Sequence, residues 1–159
     1  AGFMAKSVEE CIDLATKTAL PTHDHPEGIK GAVATALAIY YGMQGKDKDY
    51  IRHHVLDEYY PNWSGLTYAR IKPGYGFDET CQQTIPAALI CFLESKDYVN
   101  CLKLAIALGG DADTLAAISG PMAYAFYKCM PEELIANAKA KLPEWMLQVN
   151  EEFDKYVNR

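Results

Sequence analysis

No alternation of apolar and polar residues with period two persists long enough in this chain to build a sheet. No apolar run approaches the ~20 residues that a bilayer-crossing helix needs, and the start Ala1-Gly2-Phe3-Met4-Ala5-Lys6 has no apolar stretch of a secretory signal. Positive charge is also scarce: 15 Lys and Arg against 21 Asp and Glu leave a net charge of −6. With no basic stripe to displace counterions from phosphates, a general nucleic-acid binder is excluded. The five cysteines never fall in a C-x₂-C spacing, so neither a zinc ribbon nor a dithiol redox centre is encoded. Their odd number suits small buried apolar residues in a reducing compartment, and the expectation is a cytoplasmic protein without a membrane partner. Internal repeats and low-complexity tracts are absent as well.

What remains is helical. Half of the 159 residues are apolar, enough to bury a core, and a single domain over residues 1–159 is expected. Ser7-Val8-Glu9-Glu10 matches a capping box, and apolar residues at helical spacing carry a first helix over 7–20, up to Pro21. A second starts at Pro26 and runs to Tyr41, with Ile29, Val33, Ala36, Leu37 and Tyr40 on one face; its many small residues, Gly28, Gly31, Ala32, Ala34 and Ala38, predict close packing against a neighbour. Asp47 can cap a third, in which Tyr50, Ile51, Val55 and Tyr59 share a face while Lys48, Arg52 and Asp57 face water. Residues 60–78, rich in Pro, Gly and aromatics, read as a long functional or mobile loop. Helices are expected again near 79–95, 96–108, 111–129, 131–141 and 143–157, with Pro86 and Pro121 marking a kink, a bend or a start. In the last of them Trp145, Val149, Phe153 and Tyr156 make one apolar face. The fold class is therefore all-α.

Candidate chemistry is concentrated in two stretches. Gly109-Gly110-Asp111-Ala112-Asp113-Thr114 places two carboxylates and a hydroxyl where a helix begins. Such hard oxygen donors suit Mg²⁺, Mn²⁺ or Ca²⁺ rather than zinc or copper. The same pattern also fits a simple start signal in which Asp111 is the N-cap and Asp113 an acidic first-turn residue. Thr22-His23-Asp24-His25-Pro26-Glu27-Gly28 precedes the second helix, whose free amides and partial positive charge favour an anion such as phosphate. Equally, Thr22 and Asp24 can serve only as caps, with solvated imidazoles. His53 and His54 are adjacent on a helix and point to different sides, which argues against a shared metal. Gly74-Tyr75-Gly76-Phe77 lacks the third glycine of a nucleotide loop, although its aromatics could stack on a base.

Taken in order, Thr22-His23-x-His25-Pro26-Glu27-Gly28-Ile29-Lys30-Gly31-Ala32, Cys81-Gln82-x-Thr84-x-Pro86 and Gly109-Gly110-Asp111-x-Asp113-Thr114-Leu115-Ala116-Ala117-Ile118 resemble the ADP-ribosylglycohydrolase family, across essentially the whole chain. That family includes the glycohydrolase that reactivates ADP-ribosylated dinitrogenase reductase. The resemblance implies a compact, all-α, orthogonal multi-helix bundle and a binuclear Mg²⁺ or Mn²⁺ site. It implies removal of ADP-ribose from modified protein side chains, or hydrolysis of related small ADP-ribose derivatives, by attack at the ribose C1″ bond. Carried onto this chain, Asp111, Asp113 and Thr114 match metal ligands, Asp111 and Asp113 are the catalytic carboxylates, and His23 with Thr22 lines the phosphate and ribose region.

One departure is large. The family's amino-terminal Thr-Asp-Asp-Thr motif, which supplies the other half of the metal site, is missing, and no Asp-Asp pair occurs anywhere. Asp78-Glu79-Thr80 is acidic but lies ahead of the Cys-Gln motif, in the wrong place to replace it. The chain thus resembles the carboxy-terminal part of such an enzyme, truncated on its amino-terminal side. Two divalent ions ~4 Å apart repel by on the order of 16 kcal/mol at an effective dielectric near 20, and two aspartates cannot neutralise four positive charges. One weakly held cation at most, and little or no hydrolysis by this chain alone, are expected. The partners expected are the missing amino-terminal portion and a second copy of the chain in a homodimer, covering the apolar face that truncation uncovers. A non-catalytic helical binding or structural module derived from the family is the alternative.

Overall fold

Helix α1 (Val8–Ala19) begins where the sequence places its capping box: the Glu10 amide donates to Ser7 Oγ at 3.2 Å, and Glu10 Oε2 in turn accepts the Lys6 amide at 2.7 Å. Asp47 caps α3 (Lys48–Ile51) in the same way, accepting the Tyr50 amide at 2.7 Å. The cap of α2 (Pro26–Met43) differs from the expectation. It is His25, whose Nδ1 accepts the Glu27 amide at 3.2 Å, and neither Thr22 nor Asp24 serves. Pro26 explains the choice, since it holds the first helical position and leaves the preceding side chain in the extended conformation an N-cap requires.

The computed structural model describes residues 1–157, and among these there is no strand. The fold is all-α, as the sequence pattern requires. Two compact units are resolved, Ala1–Lys128 and Cys129–Arg159.

In the first unit α2 and α7 (Ala112–Tyr127) are the central helices. α2 packs on α1, α5 (Cys81–Glu94) and α7, while α7 also meets α6 (Tyr98–Leu108). Their close approach depends on the small residues of α2. A Cβ at Gly42 would lie 3.2 Å from the Phe126 backbone nitrogen, and one at Gly31 would lie 3.1 Å from the Ile85 side chain. Leu37, Ile51, Leu56, Leu89, Ile90, Phe92, Leu115 and Met122 are fully enclosed in this unit. Each such side chain contributes about 1.5–3 kcal/mol on leaving water, which is what holds the helices against their conformational entropy. α5 runs through Pro86 without interruption, and α7 through Pro121. Pro86 is among the fully buried residues, although it removes one backbone donor from the helix interior.

Two local expectations need correction. Residues 60–78 are not a structureless loop: 3₁₀ turns at Pro61–Trp63 and Lys72–Gly74 flank the short helix α4 (Tyr68–Ile71). Tyr68 anchors this region, its amide donating to Glu94 Oε1 at 2.8 Å and its hydroxyl to the Leu104 carbonyl at 3.1 Å. Lys48 does not face water. Its ammonium donates to the Ser95 carbonyl and to the Tyr127 hydroxyl at 2.8 Å, and sits 5.5 Å from the Phe92 ring and 5.2 Å from that of Tyr127. The free carbonyls at the end of α5 and the negative faces of two rings offer a cation more than a solvated position would. After α3 the chain continues as a π-helix over Arg52–Asp57, which widens the turn and brings Leu56 and Tyr60 into the core beside Ile51 and Val55.

The second unit consists of α8 (Glu132–Lys139) and α9 (Glu144–Val157), neither of which has a buried residue. The apolar face of α9 exists as a pattern, but Trp145, Val149, Phe153 and Tyr156 are all exposed. No helix among the described residues is long and apolar enough to cross a membrane.

Candidate active site

Gly109 and Gly110 break the chain between α6 and α7 with φ of +90° and +65°, values that residues with a side chain rarely adopt. Gly110 is also closely packed: a Cβ there would come within 2.6 Å of the Gly76 carbonyl oxygen and 3.1 Å of the Tyr75 ring. The Gly74-Tyr75-Gly76-Phe77 stretch is therefore a support for the Gly-Gly-Asp turn. Burial raises the Tyr75 phenol above its ordinary pKa, with Asp78 and Asp111 among the nearby charges.

Asp111 occupies the N-cap position of α7, and its backbone carbonyl accepts the Leu115 amide at 3.0 Å, yet its carboxylate makes no cap hydrogen bond. The simple capping role is thus not fulfilled by the side chain. Asp111 instead lines a cavity of about 520 Å³, together with Thr114 one turn further along. Asp113 is exposed and does not line that cavity, but its carboxyl is adjacent to that of Asp111. The neighbouring Asp111 side chain is the largest cause holding the Asp113 carboxyl below its ordinary range, followed by the amides of Asp113 and Thr114.

The same cavity is also lined by Thr22 and His23. Thr22 Oγ1 and His23 Nδ1 are 2.7 Å apart, which fixes the imidazole plane, and the His23 amide donates to the Ala19 carbonyl at 2.8 Å. The turn is folded tightly onto the first turn of α2. A Cβ at Gly28 would lie 2.8 Å from the His23 carbonyl oxygen, so this position requires glycine by contact. A second, adjoining cavity of about 410 Å³ shares Thr22, His23, Gly28 and Cys81 and adds Asp24, His25, Glu27 and Gln82. There the Glu27 carboxylate is paired with Lys30 Nζ at 2.5 Å, and that ammonium also lies 4.9 Å from the Tyr60 ring centre. The three sequence motifs, well separated along the chain, thus meet in two adjoining hollows of the first unit.

His53 and His54 take no part. Their rings lie 5.0 Å apart, and the His54 ring lies tilted against that of Tyr50 at 4.1 Å between centres. Glu79, which the sequence did not single out, also lines the larger cavity with Asp111 and Thr114. Its acidity was visible in sequence, but its position was not, because the turn around it is set by hydrogen bonds among Asp78, Thr80 and Thr84.

Two carboxylates and a hydroxyl at Asp111, Asp113 and Thr114 are a hard donor set that fits part of the shell of one Mg²⁺ or Mn²⁺ ion. They do not fit two ions, and among the described residues no group of three or more His, Cys, Asp or Glu side chains is placed to hold a metal. A model of the ADP-ribosylglycohydrolase family matches residues 1–158. With its helical fold and its three motifs converging on one site, this chain belongs to the ADP-ribosylglycohydrolase family, a family of hydrolases.

Proposed function

We propose that the chain binds the ADP-ribose part of a modified protein side chain, or of a small ADP-ribose derivative, and contributes one wall of a metal-assisted site that hydrolyses its glycosidic bond. The observation that supports this reading is the shared cavity, lined by Thr22 and His23 before α2 and by Asp111 and Thr114 at the start of α7. The diphosphate belongs at the α2 end, where backbone amides and the His23 ring can donate to it and where Lys30 offsets the charge of Glu27. The ribose belongs at the α7 end. There Thr114 can donate to a ribose hydroxyl, and the Asp111 carboxylate, free of capping duty, can accept one or take a proton from attacking water. Asp113, held in its charged form beside Asp111, keeps negative charge at that end. A divalent ion held by Asp111, Asp113 and Thr114 would supply orientation of the ribose hydroxyls and polarisation of water.

Hydrolysis by this chain on its own is slow in this proposal, because the donors suffice for one cation and not for a binuclear pair. Calorimetric titration with ADP-ribose, with and without millimolar Mg²⁺ or Mn²⁺, tests it. The expected result is saturable one-site binding, strengthened by the cation, that His23→Ala weakens by about tenfold or more and that loses its cation dependence in Asp111→Asn. Absence of binding in all conditions refutes the reading. Binding without any turnover, even with a complementary fragment carrying the missing carboxylates, favours a non-catalytic ADP-ribose-binding module instead.

A further inference from the structure

We infer that the apolar face of α9 is a self-association surface, on which a second copy of this chain docks its own α9 in antiparallel orientation. None of the residues lining the two cavities belongs to Cys129–Arg159, so this inference and the proposed ADP-ribose site stand or fall separately.

Of the eleven large apolar side chains exposed among the described residues, five lie in α9: Trp145, Met146, Val149, Phe153 and Tyr156. The other six are scattered from Met4 to Leu134. At about 100° per residue the five fall within one arc of about 100°, while Glu144, Glu151, Asp154 and Lys155 project from the opposite side. Only Glu152 sits at the edge of the stripe. Trp145 is 61% and Tyr156 59% exposed, and the five side chains together leave on the order of 500 Å² of apolar surface in water, since one large aromatic presents ~150–250 Å². Two copies facing each other withdraw ~1,000 Å², the size at which specific interfaces begin.

Shape and charge select the occupant. Run antiparallel, the stripe is complementary to itself: Trp145 and Met146 at one end meet Tyr156 at the other, and Val149, the smallest of the five, meets Phe153. The same arrangement sets the acidic first turn of each helix, with Glu144, beside the last turn of its partner, with Lys155, so the two helix dipoles oppose. Four carboxylates against one ammonium in α9 argue against an anionic membrane surface as the occupant. In the antiparallel pair those charges point away from the seam, except that the two Glu152 carboxylates approach each other near its centre. Their repulsion works against association and gives it a signature.

Sedimentation equilibrium of the whole chain tests it. The expected result is a monomer–dimer equilibrium, half associated at about 10–100 μM as suits an interface of this size, that tightens as salt rises and screens the Glu152 pair. Phe153→Ser should weaken the dimer about tenfold or more while leaving the thermal midpoint of dilute protein unchanged. Glu152→Gln should tighten it about two- to threefold. A monomer at about 200 μM overturns the inference, and so does a dimer that Phe153→Ser leaves intact, since its interface then lies elsewhere. Association that weakens with salt, or in Glu152→Gln, also overturns it, because α9 then meets a basic surface. Binding of neutral phosphatidylcholine vesicles that Phe153→Ser abolishes, with no dimer in their absence, assigns the stripe to lipid and overturns it too.

Discussion

Helices α5 and α9 have the same length, 14 residues, and opposite fates. Every residue of α5 from Thr84 to Leu93 is buried, and none of α9 is. The apolar positions of α9 recur at helical spacing between charged residues, so it is the more amphipathic of the two. α5 is apolar nearly all round because helices of the first unit surround it. The contrast teaches that a clear apolar stripe reports a helix with one side for burial and does not by itself report that the side is covered. Stability in the first unit is distributed through packing. In Cys129–Arg159 the helices rest on local terms: Glu132, Glu133 and Glu144 in first turns, and Lys139 and Lys155 in last turns, each complementing the helix dipole by a few tenths of a kcal/mol.

The largest effect expected from this difference is at matched phenylalanines. Phe92 is fully buried, edge-on to Phe126 at 5.7 Å and beside the Lys48 ammonium, whereas Phe153 is 42% exposed. Phe92→Ala should cost about 3–5 kcal/mol in urea unfolding, and Phe153→Ala under about 1 kcal/mol. Equal losses would break the comparison. A finer probe within the first unit uses two glycines: Gly42→Ala pushes a methyl against the Ala125–Phe126 backbone, while a Cβ at Gly74 meets nothing within 4 Å. The first should lower stability by about 1–3 kcal/mol and the second should leave it unchanged within about 0.5 kcal/mol, both read from thermal midpoints.

Cysteine chemistry gives the smallest effect and the sharpest contrast. Burial pushes the Cys11 thiol up to about 11 and Cys91 up to about 12, while Cys129 is exposed. Iodoacetamide at pH 8 should therefore label Cys129 in the native protein and reach Cys11 and Cys91 only on unfolding, as peptide mass mapping would show. The sign for stability follows. A folded-state thiol pKa above the unfolded value of ~8.5 means that the folded chain retains protons the unfolded chain has released. The contribution of these two cysteines is thus complete below that pH and is lost as pH rises towards 11–12. The raised Tyr41 phenol, at about 12, acts in the same direction. A thermal midpoint that rises between pH 8 and pH 10 would contradict this account.

Much of this molecule was legible as one-dimensional pattern. Periodicity gave the helices, Ser7 and Asp47 marked starts through hydrogen bonds that span three residues, and small residues in α2 announced close contact. The ordered motifs led to the family, which the match over residues 1–158 establishes. These features are local, or are fixed by residue type, and so need no knowledge of neighbours. Packing decided the rest. His25 rather than Thr22 or Asp24 caps α2, Lys48 turns inward to the end of α5, and the supposed loop at 60–78 folds into short helical turns. The Asp111 carboxylate makes no cap hydrogen bond, Glu79 lines the same cavity, and Gly110 packs against the Gly76 carbonyl. Each of these outcomes depends on a partner far away in sequence, whose carbonyl, ring face or backbone sets the energy of the side chain, and sequence spacing carries no record of that distance.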